Sequence, residues 1–385
     1  MTGRKLLKRQ KLRNNEYYDM QSVFDELYEN SLAKCEFKNL ISIITAEENI
    51  RLAYRNLKKN AGSRTPGTDG KTIADLAKMS EPELIGFVQQ KFNWYQPQSV
   101  RRKEIPKGNG KTRPLGIPTI MDRLIQQCVL QVMEPICEAK FCETSNGFRP
   151  NRGVENALAQ AEKHMQKSNL HIVIDIDIKG FFDNVNHGKL LRQIWAMGIH
   201  DKKLLSIISA MLKAEVAGIG FPEKGTPQGG ILSPLLSNIV LNELDWWITS
   251  QWVGMPTRHE YSGKIHENGT KDQSKKYREL RKTNLKECYI VRYADDFKIF
   301  CRKHSDAVKL FEATRAWLKE RLGLDISPEK SKIVNLKHAY SDFLGFRIKV
   351  HKGKRNQYVV ISHIAPKALD RICLLYTSPS PRDYA

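Results

Sequence analysis

The sequence lacks a long hydrophobic run and a paired cysteine motif. Its longest stretch without a charged residue, residues 225–242, contains Gln228, Asn238 and two prolines, a poor composition for a membrane-spanning helix. The seven cysteines are scattered and form no CxxC pair, so a zinc ribbon has no support and a disulfide framework has little. The basic start, MTGRKLLKRQ, is not followed by an apolar run, so we expect no secretory signal. These absences argue against a membrane protein and an exported protein.

Acidic residues are few relative to basic ones. The chain of 385 residues has 63 Lys and Arg against 42 Asp and Glu, a net charge of +21, and its pI is about 9.6. Basic side chains that neutralise phosphates release counterions, so this balance is typical of a protein that binds nucleic acid. A ribosomal or chromatin protein would have the same balance. Composition therefore predicts a nucleic-acid-binding protein of two or three packed units, without indicating its activity.

Hydrophobic periodicity predicts helices and strands in mixed order. Residues 36–60 space apolar side chains at three and four, as one face of a helix does, and a loop rich in glycine and proline follows at 61–70. Residues 99–118 predict two short strands around a Lys-Gly-Asn-Gly-Lys turn. The remaining expectations are helices at 119–143, 153–167, 233–252 and 305–322, a polar insertion or surface hairpin at 255–286, and a closing hairpin from 343–350 and 357–362.

Two carboxylate clusters lie on the most strand-like segments. Asp175 and Asp177 belong to LHIVIDIDI, and Asp295 and Asp296 lie within YIVRYADDFKIF. Side chains alternate along a strand, so Asp175 and Asp177 share a face, whereas Asp295 and Asp296 point apart unless a turn intervenes. If the two strands are neighbours, Asp177 and Asp295 can hold two Mg²⁺ ions for phosphoryl transfer. Either cluster alone is weak evidence, because acidic pairs at strand ends are usually just solvated.

Six motifs become specific when they are taken in order. They are KGNGKTRPLGIP (107–118), SNGFRPNRG (145–153), DIKGFFDNVNH (177–187), GTPQGGILSPLLSN (225–238), YADD (293–296) and FLGF (343–346). Over roughly residues 60 to 350 the chain resembles the reverse transcriptases of bacterial group II introns. The QGGILSP and YADD forms favour this family over related retroelement enzymes.

The resemblance implies an α+β fold with the fingers and palm of a right-hand polymerase, in which helices flank an antiparallel palm sheet. It implies an RNA-directed DNA polymerase that copies intron RNA from a DNA primer, uses deoxynucleoside triphosphates and two Mg²⁺ ions, and acts as an RNA-binding maturase in splicing. The expected partners are the intron RNA template and the DNA primer or target, with a homodimer as one option and no membrane. The expected location is the bacterial cytoplasm, in association with the nucleoid.

The same resemblance assigns roles residue by residue. Asp177, Asp295 and Asp296 match the catalytic metal ligands, with Asp295 the more direct of the last two. Phe182 matches the aromatic residue that excludes a ribose 2′-OH, and Gln228 matches a contact to the incoming nucleotide. The other matches are Lys107, Lys111 and Arg113 for the triphosphate and template, Arg149 and Arg152 for the template backbone, Tyr293 for the primer end, and Lys330 as a candidate general acid.

Arg113 is the first choice for the triphosphate because a guanidinium fork fits phosphate oxygens. The alternative for Lys107, Lys111 and Arg113 alike is a solvated surface charge.

The expected domain organisation follows the same family. A basic helical extension (1–60) precedes the fingers (61–170) and the palm (171–350), with the reverse transcriptase domain at about 90–350. Residues 351–373 are expected to begin a truncated thumb, and residues 374–385, which lack periodicity, are expected to be a non-native tail.

Two other functions remain open from the residues. A non-enzymatic maturase would keep the fold and bind RNA, but such chains usually lose an acidic ligand and all three acids are present here. An RNA-dependent RNA polymerase shares the palm, and Phe182 counts against it because its ring would clash with a 2′-OH.

Overall fold

The computed structural model describes residues 11–106, 112–261, 263–265, 267, 271–353, 357–366 and 368–369. The predicted site residues Lys107 and Lys111, and the expected tail at 374–385, lie outside these residues. Residues 11–17 are helical. The further α-helices longer than one turn in the described part are α1 (Gln21–Leu32), α2 (Leu40–Ile44), α3 (Glu47–Lys59), α4 (Glu81–Asn93), α5 (Ile120–Glu138), α6 (Val154–Glu162), α7 (His187–Ala196), α8 (Lys202–Leu212), α9 (Ser233–Gln251), α10 (Ser274–Leu280) and α11 (His304–Trp317).

Three antiparallel sheets accompany these helices. The first is the hairpin of β1 (Arg101–Pro106) and β2 (Thr112–Ile117). The central sheet has the order β4-β5-β3-β6, and the third has the order β7-β8-β9. The strands are β3 (Ile172–Ile176), β4 (Cys288–Tyr293), β5 (Asp296–Cys301), β6 (Lys332–Asn335), β7 (Ser341–Phe343), β8 (Phe346–Lys352) and β9 (Tyr358–Ile364).

Both faces of the central sheet are covered, which explains why β3 is almost continuously apolar. Ile174 and Ile299 pack into the larger core, together with α5 and α9. Val173 and Phe300 pack on the opposite face with α6 and the third sheet. Consecutive residues, Val173 and Ile174 on β3 and Ile299 and Phe300 on β5, therefore face opposite sides of the sheet, as side chains along a strand do. The expected mixture of helices and antiparallel sheet is therefore present.

Several elements differ from the sequence expectations. The helix expected over 36–60 is interrupted at Thr45 and Ala46, giving α2 and α3. The closing hairpin is extended by a third strand, β7. The polar segment 255–286 has one antiparallel bridge between Ile265 and Lys271, as a hairpin would, but its later part forms α10. No described helix is long and apolar enough to cross a membrane.

Candidate active site

The three predicted catalytic acids are carried by neighbouring strands. Asp177 directly follows β3, and Asp296 is the first residue of β5, which pairs with β3 in antiparallel register. Tyr293 pairs with Asp296, so Ala294 and Asp295 form the two-residue connection between β4 and β5. Ala294 adopts a φ of 58°, in the left-handed region that tight hairpin turns require. The predicted turn is present, and it places Asp295 and Asp296 beside Asp177.

The charges of these acids oppose one another. Loss of water around the side chain raises the pKa of Asp295, and the nearby Asp177 carboxylate raises it further. The pKa of Asp296 rises to about 6 because surrounding protein displaces part of its water and because Asp175, Asp295 and Asp177 lie close to it. Lys298 acts in the opposite direction on Asp296. The site is thus a concentration of negative charge that a bound cation would relieve.

Lys298 lies beneath this site and is already paired. Its Nζ is 2.6 Å from Oδ1 of Asp175, and both side chains are nearly buried. The Ser341 hydroxyl on β7 donates to Asp175 Oδ2 at 2.9 Å. Asp175 is therefore tied to β5 and to the third sheet, which distinguishes it from the neighbouring Asp177.

Lys330, the candidate general acid, lies at the edge of the site. Its Nζ is 3.2 Å from Oδ2 of Asp177, and both side chains are substantially exposed. The segment that carries Lys330 is held across the end of β3, because the Ser327 backbone N–H donates to the Asp177 carbonyl at 2.8 Å. An exposed pair of this kind contributes little to stability, so Lys330 can exchange Asp177 for another partner.

The donor set suits a hard divalent cation. Among the described residues, no group of three or more His, Cys, Asp and Glu side chains is arranged as a ready-made metal site. Mg²⁺ does not need one, since it usually takes one or two carboxylates and completes its shell with water and substrate phosphates. Asp177, Asp295 and Asp296 offer oxygen ligands of this kind, and their mutual repulsion is what such an ion would offset.

Hydrogen bonds join the segments that carry the described nucleotide-binding candidates, Arg113, Phe182 and Gln228. The β1–β2 hairpin is docked on the GTPQGG loop, since the Gly116 N–H donates to the Gln228 carbonyl at 2.7 Å. Gly229 has a φ of 116°, and a Cβ there would lie 2.7 Å from the Gly116 carbonyl oxygen, so this approach requires glycine. Arg113 on β2 is exposed and close enough to Asp295 to lower its pKa.

Phe182 is fixed by the same loop. Its carbonyl accepts the Thr226 N–H at 2.7 Å, and its ring meets Phe181 edge to face with 5.3 Å between centroids. Phe181 is buried, as expected of a core aromatic residue, whereas Phe182 is only partly buried. His187 is buried beneath the loop and hydrogen-bonds the Gly225 carbonyl at 2.7 Å, which is a packing role.

The two arginines predicted to contact template lie in different environments. Arg149 is buried, forms an ion pair with Glu138 at 2.9 Å and donates to the carbonyls of Cys142 and Ser145. A guanidinium with these partners is not available to a phosphate, so a template contact by Arg149 does not fit the structure. Arg152 is only partly buried, and its Nη1 donates to the Glu143 carbonyl at 2.8 Å, so a template contact by this residue stays a prediction.

A buried ion pair lies behind the turn of Ala294 and Asp295, called the catalytic turn from here on, and sequence reasoning missed it. Arg292 on β4 and Asp245 on α9 have fully buried side chains, with 2.6 Å between Nη2 and Oδ2. Arg292 Nη1 also donates to Asn238 Oδ1 at 2.9 Å and to the Ala294 carbonyl at 2.7 Å. The available signal was a lone arginine inside the apolar segment YIVRY and an aspartate, two residues after a glutamate, inside LNELDWW. Arg292 thus joins the catalytic turn to α9.

The SNGF segment is clamped against the other side of this turn. The Asn146 N–H donates to the Arg292 carbonyl at 2.8 Å, and Asn238 Nδ2 donates to the Gly147 carbonyl at 2.8 Å. A Cβ on Gly147 would lie 2.2 Å from the Ala294 nitrogen, so only glycine permits this contact. Tyr293, predicted to lie at the primer end, is partly buried, and its ring centroid is 6.5 Å from that of Phe148.

Comparison with known proteins identifies a family and several relatives. The family described as "Reverse transcriptase (RNA-dependent DNA polymerase)" matches residues 105–348. Protein YkfC of Escherichia coli (strain K12) is 32% identical over 338 residues, covering 85% of this chain and 87% of the relative. The group II intron-encoded protein LtrA of Lactococcus lactis subsp. cremoris is 33% identical over 374 residues, covering 86% of this chain.

A yeast protein is a further relative. The putative COX1/OXI3 intron 2 protein of Saccharomyces cerevisiae is 28% identical over 378 residues, covering 88% of this chain. The chain spans 60% of the length of LtrA and 42% of the length of the yeast protein. Two of these three relatives are named for introns.

Proposed function

Since the chain belongs to the reverse transcriptase family, we propose that it is the RNA-directed DNA polymerase of a group II intron. It would extend the 3′-OH of a DNA primer with deoxynucleoside triphosphates, using intron RNA as template. The observation that carries this proposal is the grouping of Asp177, Asp295 and Asp296 at the ends of two paired strands, where each of the last two carboxylates has a raised pKa. Intron-encoded relatives such as LtrA support the choice of template.

Reverse transcriptases generally use a divalent metal ion, and the donor set here favours Mg²⁺. Asp177, Asp295 and Asp296 would hold two such ions. When bound, two Mg²⁺ ions supply positive charge to the attacking and leaving oxygens of an in-line phosphoryl transfer. The chain's own contribution is then positioning and electrostatic stabilisation, without a covalent nucleophile.

The residues around the acids divide the remaining tasks. Arg113 would bind the triphosphate through its guanidinium fork, and Gln228 would contact the incoming nucleotide. Phe182 would exclude a ribose 2′-OH, and Tyr293 would lie beneath the primer end. Lys330 would leave its contact with Asp177 and donate a proton to the leaving pyrophosphate. Arg152 remains the proposed contact to the template backbone.

A maturase role in splicing is the second function that we propose. The net charge of +21 suits binding of a large folded RNA, and one relative is named as a nuclear intron maturase. This role needs the RNA-binding surface but not the three acids. An Asp295→Ala variant would therefore separate the two functions, since it should still promote splicing of the intron RNA.

The organisation of the chain is part of the same proposal. Fingers and palm would occupy 61–170 and 171–350 after a basic extension at 1–60, with the start of a thumb at 351–373. We expect the protein to act in the bacterial cytoplasm near the nucleoid, and a homodimer is one option for its assembly.

Primer extension tests the proposed activity directly. The purified chain would be incubated with poly(rA), an oligo(dT) primer and dTTP, with Mg²⁺ or with EDTA. We expect the primer to lengthen only when Mg²⁺ is present. Absence of extension by a folded chain that still binds the primer–template would contradict the polymerase assignment and favour the non-enzymatic maturase.

A further inference from the structure

Phe148 differs from every residue around it in the SNGF segment. Ser145, Asn146, Gly147 and Arg149 are buried, whereas the Phe148 side chain is 49% exposed. Its backbone adopts a φ of 56°, a left-handed conformation that costs energy for a bulky residue. An exposed aromatic side chain is therefore held in a strained position although glycine or asparagine would fit more easily.

The strain at Phe148 is imposed by contacts on both sides. Gly147 is pressed against Ala294, and its carbonyl accepts from Asn238 Nδ2 at 2.8 Å. On the other side, Arg149 is anchored to Glu138 and to two backbone carbonyls. Because these contacts hold both of its neighbours, Phe148 is constrained to this conformation, and its ring stands out from the buried segment.

The place where this ring emerges is the catalytic turn. The Phe148 and Tyr293 ring centroids are 6.5 Å apart with an interplanar angle of 46°. Tyr293 immediately precedes Ala294 and Asp295, and it pairs with Asp296 across the turn. A partly exposed aromatic pair therefore borders the carboxylates where phosphoryl transfer is proposed.

We propose that Phe148 is a stacking platform for one nucleobase of the primer–template at the catalytic turn. The proposal rests on the function proposed above and adds a contact to that site. Every base presents an aromatic face, so such a platform tolerates any sequence, as a polymerase requires. Because the platform is rigid before binding, little conformational freedom is lost when the base stacks on it. Phe148 thereby fixes the base, and with it the reacting end, relative to Asp295.

Single-turnover primer extension with three variants tests the role of the ring. Phe148→Leu keeps an apolar side chain without a ring face, and we expect extension to slow by about tenfold, within the range that base stacking supplies. Phe148→Tyr, which retains the face, should recover the lost rate. Trp94→Leu removes an exposed aromatic residue from the end of α4 and should extend as wild type does. A Phe148→Leu rate within twofold of wild type would overturn the proposal.

Abasic sites identify the stacked base. Each position of primer and template near the reacting end would be replaced in turn by an abasic nucleotide. At one position, we expect the wild-type rate to fall to that of Phe148→Leu, and the variant to lose nothing more. If every abasic position slows both proteins by the same factor, Phe148 affects the fold of the site and not a base, and the proposal is wrong.

A fluorescence measurement keeps this test independent of catalysis. The base 2-aminopurine, whose emission is quenched by stacking, would replace the identified base or, in turn, each base near the primer end. Binding to wild type should quench it more than binding to Phe148→Leu, even if the chain proves unable to extend a primer. Equal emission at every position would contradict the platform. Phe148→Gly, which suits the left-handed backbone, should keep a thermal midpoint near that of wild type and lose the quenching.

Discussion

Arg292 and Asp245 form a fully buried ion pair, with Nη2 and Oδ2 2.6 Å apart, directly behind the catalytic turn. The same guanidinium donates to the Ala294 carbonyl, so the pair bears on the position of Asp295 as well as on stability. A buried charge that loses its partner is costly, whereas an apolar pair of similar size can be tolerated. The effect of the pair on stability and its effect on the position of Asp295 can be measured separately.

Asp245→Leu should lower the free energy of unfolding by about 3–5 kcal/mol, because Arg292 is left buried and unpaired. Adding Arg292→Met should recover part of this loss but not primer extension, because the bond to Ala294 is also gone. Urea unfolding and extension rates of the single and double variants provide the measurement. Glu312→Gln, which breaks an exposed pair with Arg315, serves as the control and should change stability by less than about 1 kcal/mol. Full recovery of activity in the double variant would show that the pair does not position the turn.

Gly147→Ala should impair the site from the opposite side of the turn. The new Cβ would lie 2.2 Å from the Ala294 nitrogen, so the SNGF segment or the turn must move. We expect a destabilisation of about 1–3 kcal/mol from overpacking. A displacement of the turn by about 1 Å can cost about 100-fold in extension rate.

Gly86→Ala is the matched control for Gly147→Ala. Gly86 lies inside α4, and a Cβ there would meet nothing within 4 Å. It should stabilise the protein by about 0.5–1 kcal/mol and leave extension unchanged. If Gly147→Ala changed stability and extension rate no more than Gly86→Ala does, the close contact with Ala294 would not be needed for activity.

Phe182→Ala should weaken discrimination against ribonucleotides. Removing the ring opens space for a 2′-OH, and we expect incorporation of UTP relative to dTTP to rise about 10- to 100-fold, or roughly 1.4–3 kcal/mol of transition-state discrimination. Phe181→Ala removes the buried neighbour and should instead cost about 3–5 kcal/mol of stability, with the ratio of the two substrates unchanged. An unchanged ratio in Phe182→Ala would assign Phe182 to packing.

The sequence predicted the central hairpin and the long α9 helix well because their patterns are local. Apolar and aromatic residues flank YADD on both sides, which predicts the two strands. The left-handed backbone of Ala294 could not be predicted from the residue type. From the sequence, Asp177 and Asp295 could be expected to lie together only if their two strands were neighbours. Antiparallel pairing of β3 with β5 satisfies that condition.

Partnerships between distant residues could not be read from local patterns. An arginine followed by proline in GFRPNRG looks like a surface charge, and nothing nearby indicates that Glu138 pairs with Arg149 inside the protein. The bond from Arg292 to Asp245 spans 47 positions, and the bond from Lys298 to Asp175 spans 123. Charges of this kind are buried only because tertiary packing supplies a partner, and that packing is decided by the whole chain.

The central claim is that Asp295 acts in catalysis, and comparison of Asp295→Ala with Asp25→Ala tests it most directly. Asp25 lies exposed on α1 and matches the chemical change. Because desolvation and Asp177 both disfavour the Asp295 charge, its removal should not lower stability. On poly(rA) and oligo(dT) with Mg²⁺, we expect Asp295→Ala to lose at least about 100-fold in extension rate while binding RNA normally, and Asp25→Ala to match wild type. Extension at the wild-type rate by a folded Asp295→Ala protein would contradict the account.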